Sequence, residues 1–202
     1  MVNNEMNKPY SESCDQNKDA ILSVISPLFS ALSNVLEIGS GTGQHAVYFA
    51  EKMPQLTWHT SDCQSYLDGI NAWLMDAGQT NIKPPFELDV SKSQWPIVDI
   101  DAIFTANSVH IMQQQDVVNL INGVGKLLKK KGSFVIYGPF NYNGLYTSTS
   151  NENFDQWLKQ RNPLSGIKNF EEIESLANSN NMQLVTDYEM PANNRILHFI
   201  KS

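Results

Sequence analysis

Three glycines at alternate positions, Gly39, Gly41 and Gly43, follow the run Val35-Leu36-Glu37-Ile38 and lead into Gln44 and His45. An apolar strand that carries an acidic residue and turns through glycines into a helix brings a ligand against main-chain atoms. A glycine at position 41 takes away the Cβ that would stand between backbone and ligand. The helix expected over 44–53 aims its free N–H groups at whatever the loop holds. A dinucleotide fingerprint reads G-x-G-x-x-G, and its last position falls here on Gln44. The spacing is acidic-h-G-x-G-x-G instead, with Ser40 and Thr42 between the glycines. A tight strand-to-helix connection that holds nothing is the other reading of the same residues.

Further groups with chemistry sit where strands should end. Asp62 comes about twenty residues after the glycine loop, where a carboxylate accepts hydrogen bonds from ribose hydroxyls. Capping the following helix is its alternative role. Asp89 also ends a strand and suits a turn. Asn107 offers an amide acceptor and donors, and His110 is a candidate general base near neutral pH. A histidine packed at a helix start with a satisfied ring nitrogen is the plainer reading of His110, as a buried aromatic is of Tyr137. Asn193 and Asn194 suit a turn and equally a polar substrate contact.

The elements that would position these groups follow from periodicity. Ile21, Leu22, Ile25, Leu28, Phe29 and Leu32 recur at helical spacing from about Asp15 on, with Pro27 expected to kink or split the helix. Strands are expected at 34–38, 56–61, 86–88 (opened by Pro84-Pro85), 102–105, 133–137, 183–189 and 195–200. Between them, helices are expected over 44–53, at the face Leu67, Ile70, Trp73, Leu74 and Ala77 closed by Gly78, and at Val117, Leu120, Ile121, Val124, Leu127 and Leu128. Two short helices, over 154–160 and 171–177, follow the fifth strand. Asn169 and Glu172 have the spacing of an N-cap with a reciprocal carboxylate. Alternating strands and helices that finish in a hairpin predict an α/β fold, a doubly wound, mostly parallel sheet with one antiparallel strand.

At 202 residues the chain suits one domain, 1–202, with a polar start over 1–14 that is flexible or folds as a lid. A net charge of -7 argues against a nucleic-acid partner held through phosphates. The run Lys129-Lys130-Lys131-Gly132 reads as a helix C-terminus rather than a binding patch. Two cysteines and four scattered histidines give neither a disulfide framework nor metal-ligand spacing, so no metal is expected. With no signal peptide or membrane span in view, the expectation is a soluble cytoplasmic protein with no membrane partner. Oligomeric state stays open.

The stretch Glu37-Ile38-Gly39-Ser40-Gly41-Thr42-Gly43 resembles motif I of the class I S-adenosylmethionine (SAM)-dependent methyltransferases. Pro139-Phe140, Gly-Gln-His-Ala at 43–46 and Met-Pro-Ala-Asn-Asn at 190–194 look like the methyltransferase-like family DUF938. The resemblance implies a Rossmann-like seven-stranded sheet in the order 3-2-1-4-5-7-6 with strand 7 antiparallel. It implies SAM as cofactor, with no pyrophosphate to hold, and methyl transfer to a small-molecule acceptor. Gly39, Ser40, Gly41, Thr42 and Gly43 would meet the cofactor, and Glu37 would fix the loop and help hold the methionine amino group. Asp62 would take the ribose, and Asp89 with Val90 the adenine. Asn107 would orient the cofactor or nucleophile, and His110 would serve as base. Asn17, Tyr137, Asn193 and Asn194 would face the substrate. The family pattern Glu-Arg-Asn stands here as Asp15-Gln16-Asn17, which keeps the asparagine and lacks the arginine. A catalytically silent SAM-binding module and a nicotinamide-dependent oxidoreductase are the competing readings, and the glycine missing at position 44 counts against the second.

Overall fold

The computed structural model describes residues 8–92, 95 and 99–202. In chain order these form α1 (Glu12–Phe29), β1 (Asn34–Ile38), α2 (Gln44–Lys52), β2 (Thr57–Asp62), α3 (Leu67–Ala77), β3 (Ile82–Glu87), β4 (Ala102–Ala106) and α4 (Gln114–Leu127). They continue with β5 (Ser133–Gly138), β6 (Phe140–Asn141), α5 (Thr149–Arg161), β7 (Lys168–Asn169), α6 (Phe170–Ser179), β8 (Met182–Met190) and β9 (Asn194–Lys201). Seven strands make a sheet in the order β3-β2-β1-β4-β5-β9-β8, and β6 pairs with β7 apart from it. The sheet is mostly parallel, with β9 antiparallel to both β5 and β8. With β6 and β7 set aside as short extra strands, this is the order the sequence predicted. The chain divides into two compact units, one ending at Asp89 and one running from Val90 to Ser202.

In the first unit, β1 is buried from Val35 to Ile38, as a central strand of a parallel sheet covered on both faces should be, and β2 buries Trp58, Thr60 and Ser61. Phe49 on α2 packs its ring 5.7 Å from Trp58 on β2, and both are fully buried. Removing either ring would cost about 3–5 kcal/mol. Gly78 closes α3 in the left-handed region at φ 62, as expected of a C′ glycine. β3 starts earlier than predicted and contains Pro84 and Pro85. It can do so because it is an edge strand whose register with β2 shifts between His59 and Ser61, so missing N–H groups cost little there. α1 runs unbroken through Pro27. The proline lies in the last turn and neither splits the helix nor ends it.

In the second unit, β5 is buried at every position between β4 and β9. α4 turns Val117, Leu120, Ile121 and Val124 inward, and just past its end Lys129 pairs with Asp101 at 2.6 Å. α5 begins at Thr149, five residues before the predicted start, because the Ser148 side chain caps it by accepting from Asn151 N–H at 3.1 Å. Asn169 does hold the N-cap position of α6, but its side chain does not accept from the helix. It donates to Glu172 Oε1 at 3.1 Å, so the reciprocal capping expected of that pair does not form. Among the described residues, no helix is long and apolar enough to cross a membrane.

Candidate functional site

The glycine loop leaves the carboxyl end of β1 and is pinned to the end of β2. Gly39 N–H and Ser40 N–H both donate to Ser61 O at 3.0 Å. Ser61 N–H donates to Ser40 Oγ at 3.2 Å, and Ser61 Oγ to Glu37 O at 2.7 Å. Asp62 reaches back over this clasp. Its Oδ2 accepts from Gly41 N–H at 2.7 Å and its Oδ1 from Cys63 N–H at 2.7 Å. Asp62 therefore ties the loop rather than capping α3, whose cap position belongs to Tyr66. Burial pushes its carboxyl up, with the Gly41 and Cys63 N–H groups working against the rise.

Gly41 has φ +58, and a Cβ built there meets nothing within 4 Å. No protein atom stands close to that position. Gly43 is different, because a Cβ there would stand 3.2 Å from Ile70 Cα and 3.2 Å from Trp73 Cβ. Its role is to let the loop pass against α3. Behind the loop, Glu37 is 1% exposed and accepts from Trp58 Nε1 at 3.1 Å. Burial pushes its carboxyl up to about 7, opposed by the Trp58 and Ser40 hydrogen bonds.

Gln44, the residue that breaks the dinucleotide fingerprint, has a task of its own. Its Oε1 accepts from Ser11 N–H at 2.5 Å and from Thr42 Oγ1 at 3.0 Å, and its Nε2 donates to Ser11 O at 3.3 Å. The segment before α1 is thereby strapped to the glycine loop. Trp73 Nε1 holds the same strap by donating to Pro9 O at 2.6 Å, and Gly69 leaves room for the Pro9 ring. Of the start expected to be flexible or a lid, residues 1–7 lie outside the described residues. Asn17 Oδ1 accepts from His45 Nε2 at 2.7 Å, and burial brings His45 down to about 4, so the ring is neutral. Asp89 and Val90 are half-buried at the end of their strand.

The second unit holds the remaining candidates. Asn107 follows β4 in the left-handed region, φ 57, a conformation asparagine tolerates better than most residues. Its N–H donates to Tyr137 O at 2.9 Å, and Tyr137 itself is buried on β5. His110 is buried with its ring edge-on to Phe154, 5.2 Å between centroids. Burial, and then the Lys168 charge, brings it down to about 4. Asn193 sits in a turn with Ala192, at φ 58 and 57. Asn193 Nδ2 donates to Ser150 Oγ at 3.1 Å, and Asn193 O accepts from Asn151 Nδ2 at 3.1 Å. Asn194 Nδ2 turns back to Pro191 O at 3.3 Å.

The sequence reading missed Ser61, Trp58 and the strap pair Ser11–Gln44. Gln44 alone carried a signal, as a long polar side chain where a glycine frame expects none. It also missed Asp155, Gly166 and Lys168, of which only the Asp155–Lys159 spacing hinted at a contact.

A sheet of this order with a glycine loop after its first strand defines the class I methyltransferase fold of the SAM-dependent enzymes. The chain belongs to the family described as "Protein of unknown function (DUF938)", whose profile matches residues 8–201. Human N-acetylserotonin methyltransferase, solved in complex with SAM, superposes with a TM-score of 0.79 at 14% identity, covering 95% of this chain and 53% of that one. The mitomycin 7-O-methyltransferase MmcR gives 0.82 at 13% identity, over 94% and 54%. An O-methyltransferase family protein from Burkholderia thailandensis gives 0.76 at 14%, over 93% and 59%. At these identities the likeness is one of fold. The chain spans little more than half the length of each.

Proposed function

We propose that this protein binds SAM through its first unit and transfers the methyl group to a small-molecule acceptor. The observation that carries the reading is Gly41, where a Cβ would touch no protein atom and whose N–H is held by the Asp62 carboxylate at 2.7 Å. Glu37 meets the cationic amino group of the methionine portion, and Asp62, already fixed by two N–H groups, presents its remaining lone pairs to the ribose. Asp89, the last residue of the first unit, takes the adenine, the role the resemblance gives it together with Val90. The cofactor supplies an activated methyl on a sulfonium, so alignment and exclusion of water are most of what the protein must add. On the acceptor side, Asn107 orients the reacting group, and neutral His110 takes a proton when the acceptor has one to lose. In the first unit, Asn17 has amide N–H groups to offer a ligand, since its oxygen is committed to His45. Tyr137 and the Asn193-Asn194 turn, of the second unit like Asn107 and His110, are the other residues proposed for the acceptor. A small neutral or weakly basic acceptor fits these polar, uncharged groups. A nucleic-acid partner does not fit a net charge of -7.

Calorimetry tests the reading directly. SAM and its demethylated product should bind at about micromolar strength, near -8 kcal/mol, and nicotinamide dinucleotides should not. Because Glu37 sits at about 7, cofactor binding near pH 7 should release protons, seen as heat that depends on the buffer's ionisation enthalpy. Binding of the dinucleotide alone would overturn the proposal. A methyl-transfer screen across metabolites separates an enzyme from a silent binding module.

A further inference from the structure

Three consecutive carbonyls of the loop after β4 are each taken by the segment 165–168. Gly166 N–H donates to His110 O at 2.9 Å, Ser165 Oγ to Ile111 O at 2.8 Å, and Lys168 Nζ to Met112 O at 2.8 Å. The same ammonium donates to Gly166 O at 2.9 Å and so closes the segment on itself. Behind it stands Asp155 on α5, 1% exposed. Its Oδ1 accepts from Ile167 N–H at 2.6 Å. Its Oδ2 accepts from Tyr146 Oη at 2.7 Å and from Lys159 Nζ at 2.6 Å. Gly166 lies at φ +156, and a Cβ there would fall 2.8 Å from Asp155 Oδ1, so only glycine passes. α5 also supplies Phe154, whose ring meets that of His110. Asp155 thus holds the segment whose Gly166 N–H binds His110 O, and its helix neighbour Phe154 meets the His110 ring.

We propose that Asp155, Gly166 and Lys168 form a latch that orients the His110 ring for the acceptor, making Asp155 and Lys168 positioning residues in the methyl transfer. The proposal rests on the role given to His110 above. A base helps only within hydrogen-bond reach of its proton, and a displacement of about 1 Å can cost 10²-fold in rate. Burying an ammonium is expensive, whereas a neutral donor would satisfy Met112 O as well. The charge has a second effect, because after burial it is the Lys168 charge that holds His110 low and keeps its ring unprotonated. Around the ring, α5 brings uncharged Phe154 with Asp155 next to it, and Tyr146 and Lys159 are bound to that carboxylate. β5 brings Gly138, whose Cβ position lies 3.6 Å from His110 Nδ1 and carries no charge. Lys168 is the cation of the latch itself.

The test follows the His110 imidazole of the full chain by NMR titration in the wild type, Lys168→Met and Asp155→Asn, with SAM affinity measured alongside. Lys168→Met should move the His110 titration upward in pH. Asp155→Asn should speed amide exchange at Gly166 and Ile167 by roughly tenfold or more, with cofactor affinity unchanged. An unmoved titration in Lys168→Met, or unchanged exchange in Asp155→Asn, overturns the latch while normal SAM binding leaves the proposed function standing. Should Asp155→Asn fail to fold, Lys168→Met and Lys168→Gln decide alone. Loss of SAM binding in the wild type removes the function and, with it, the purpose assigned to the latch.

Discussion

Gly41 and Gly43 stand two residues apart in one loop, both at positive φ, yet they answer to different neighbours. A methyl group at position 41 enters empty space, so Gly41→Ala should cost only the strain of a left-handed alanine, about 1–2 kcal/mol. On the proposed function it should nevertheless weaken SAM binding at least tenfold, because that empty space is the one assigned to the cofactor. A methyl at position 43 presses on Ile70 and Trp73. Gly43→Ala should therefore add about 1–3 kcal/mol of overpacking to the same strain and show itself mainly as a lower melting temperature. Melting curves and calorimetry on the two variants separate these effects. Equal affinity loss, corrected for folded fraction, would mean that position 41 has no special relation to the ligand. The alternation of the three glycines was plain in the sequence. The sequence pointed to position 41 for ligand contact, but that Gly43 is there to pass against α3 was not legible, since it depends on how closely a helix some thirty residues away packs.

The strap over 8–11 shows how an element can depend on one side chain. It has no secondary structure of its own before Glu12 and is held by Gln44, Trp73 and the ion pair of Lys8 with Asp76. The exposed ion pair adds little, so the buried amide of Gln44 is the main tether. Gln44→Ala should strip two hydrogen bonds from Ser11 and leave α2 intact, since alanine favours helix. Limited proteolysis should then cut near Tyr10 severalfold faster than in the wild type, with only a few degrees lost in melting temperature. Unchanged cleavage would show that Trp73 alone suffices. Elements with strong periodicity, such as α4 and β5, were legible from sequence to within a residue or two. α5 was placed late because its first turn is polar and only the Ser148 cap marks it. β3 was begun late because two prolines argue against a strand unless it is known to lie at an edge. Of the Asp155 cluster only the i,i+4 spacing to Lys159 was legible, for Tyr146 and Ile167 meet the carboxylate only once the chain has folded.

For the molecule as a whole, three buried groups set opposing pH responses. His45 and His110, held near 4 by burial, are protonated more readily in the unfolded chain. Their contribution is complete above about pH 6.5 and is lost as the pH falls toward 4. Glu37, raised to about 7, has the reverse sign, because the native state keeps its proton and loses stability as the pH climbs from about 4.5 to 7. Among these three, two protons against one leave a gain of about 1.4 kcal/mol per pH unit between roughly 4.5 and 6.5, and buried His198, also lowered, acts in the same direction as the other histidines. Glu37→Gln, which keeps an acceptor for Trp58 Nε1, should steepen that rise in a series of thermal melts. A slope identical to that of the wild type would remove Glu37 from the account. A different consequence follows from β9, which hydrogen-bonds to β5 on one side and β8 on the other. On a ribosome, β5 emerges about 60 residues before its partner. At roughly 5–20 residues per second it waits several seconds with an apolar edge unpaired. The first unit, whose strands follow one another closely, can settle in that interval. The second must wait, and slowing translation between Gly138 and Asn194 should lengthen its exposure to misassembly.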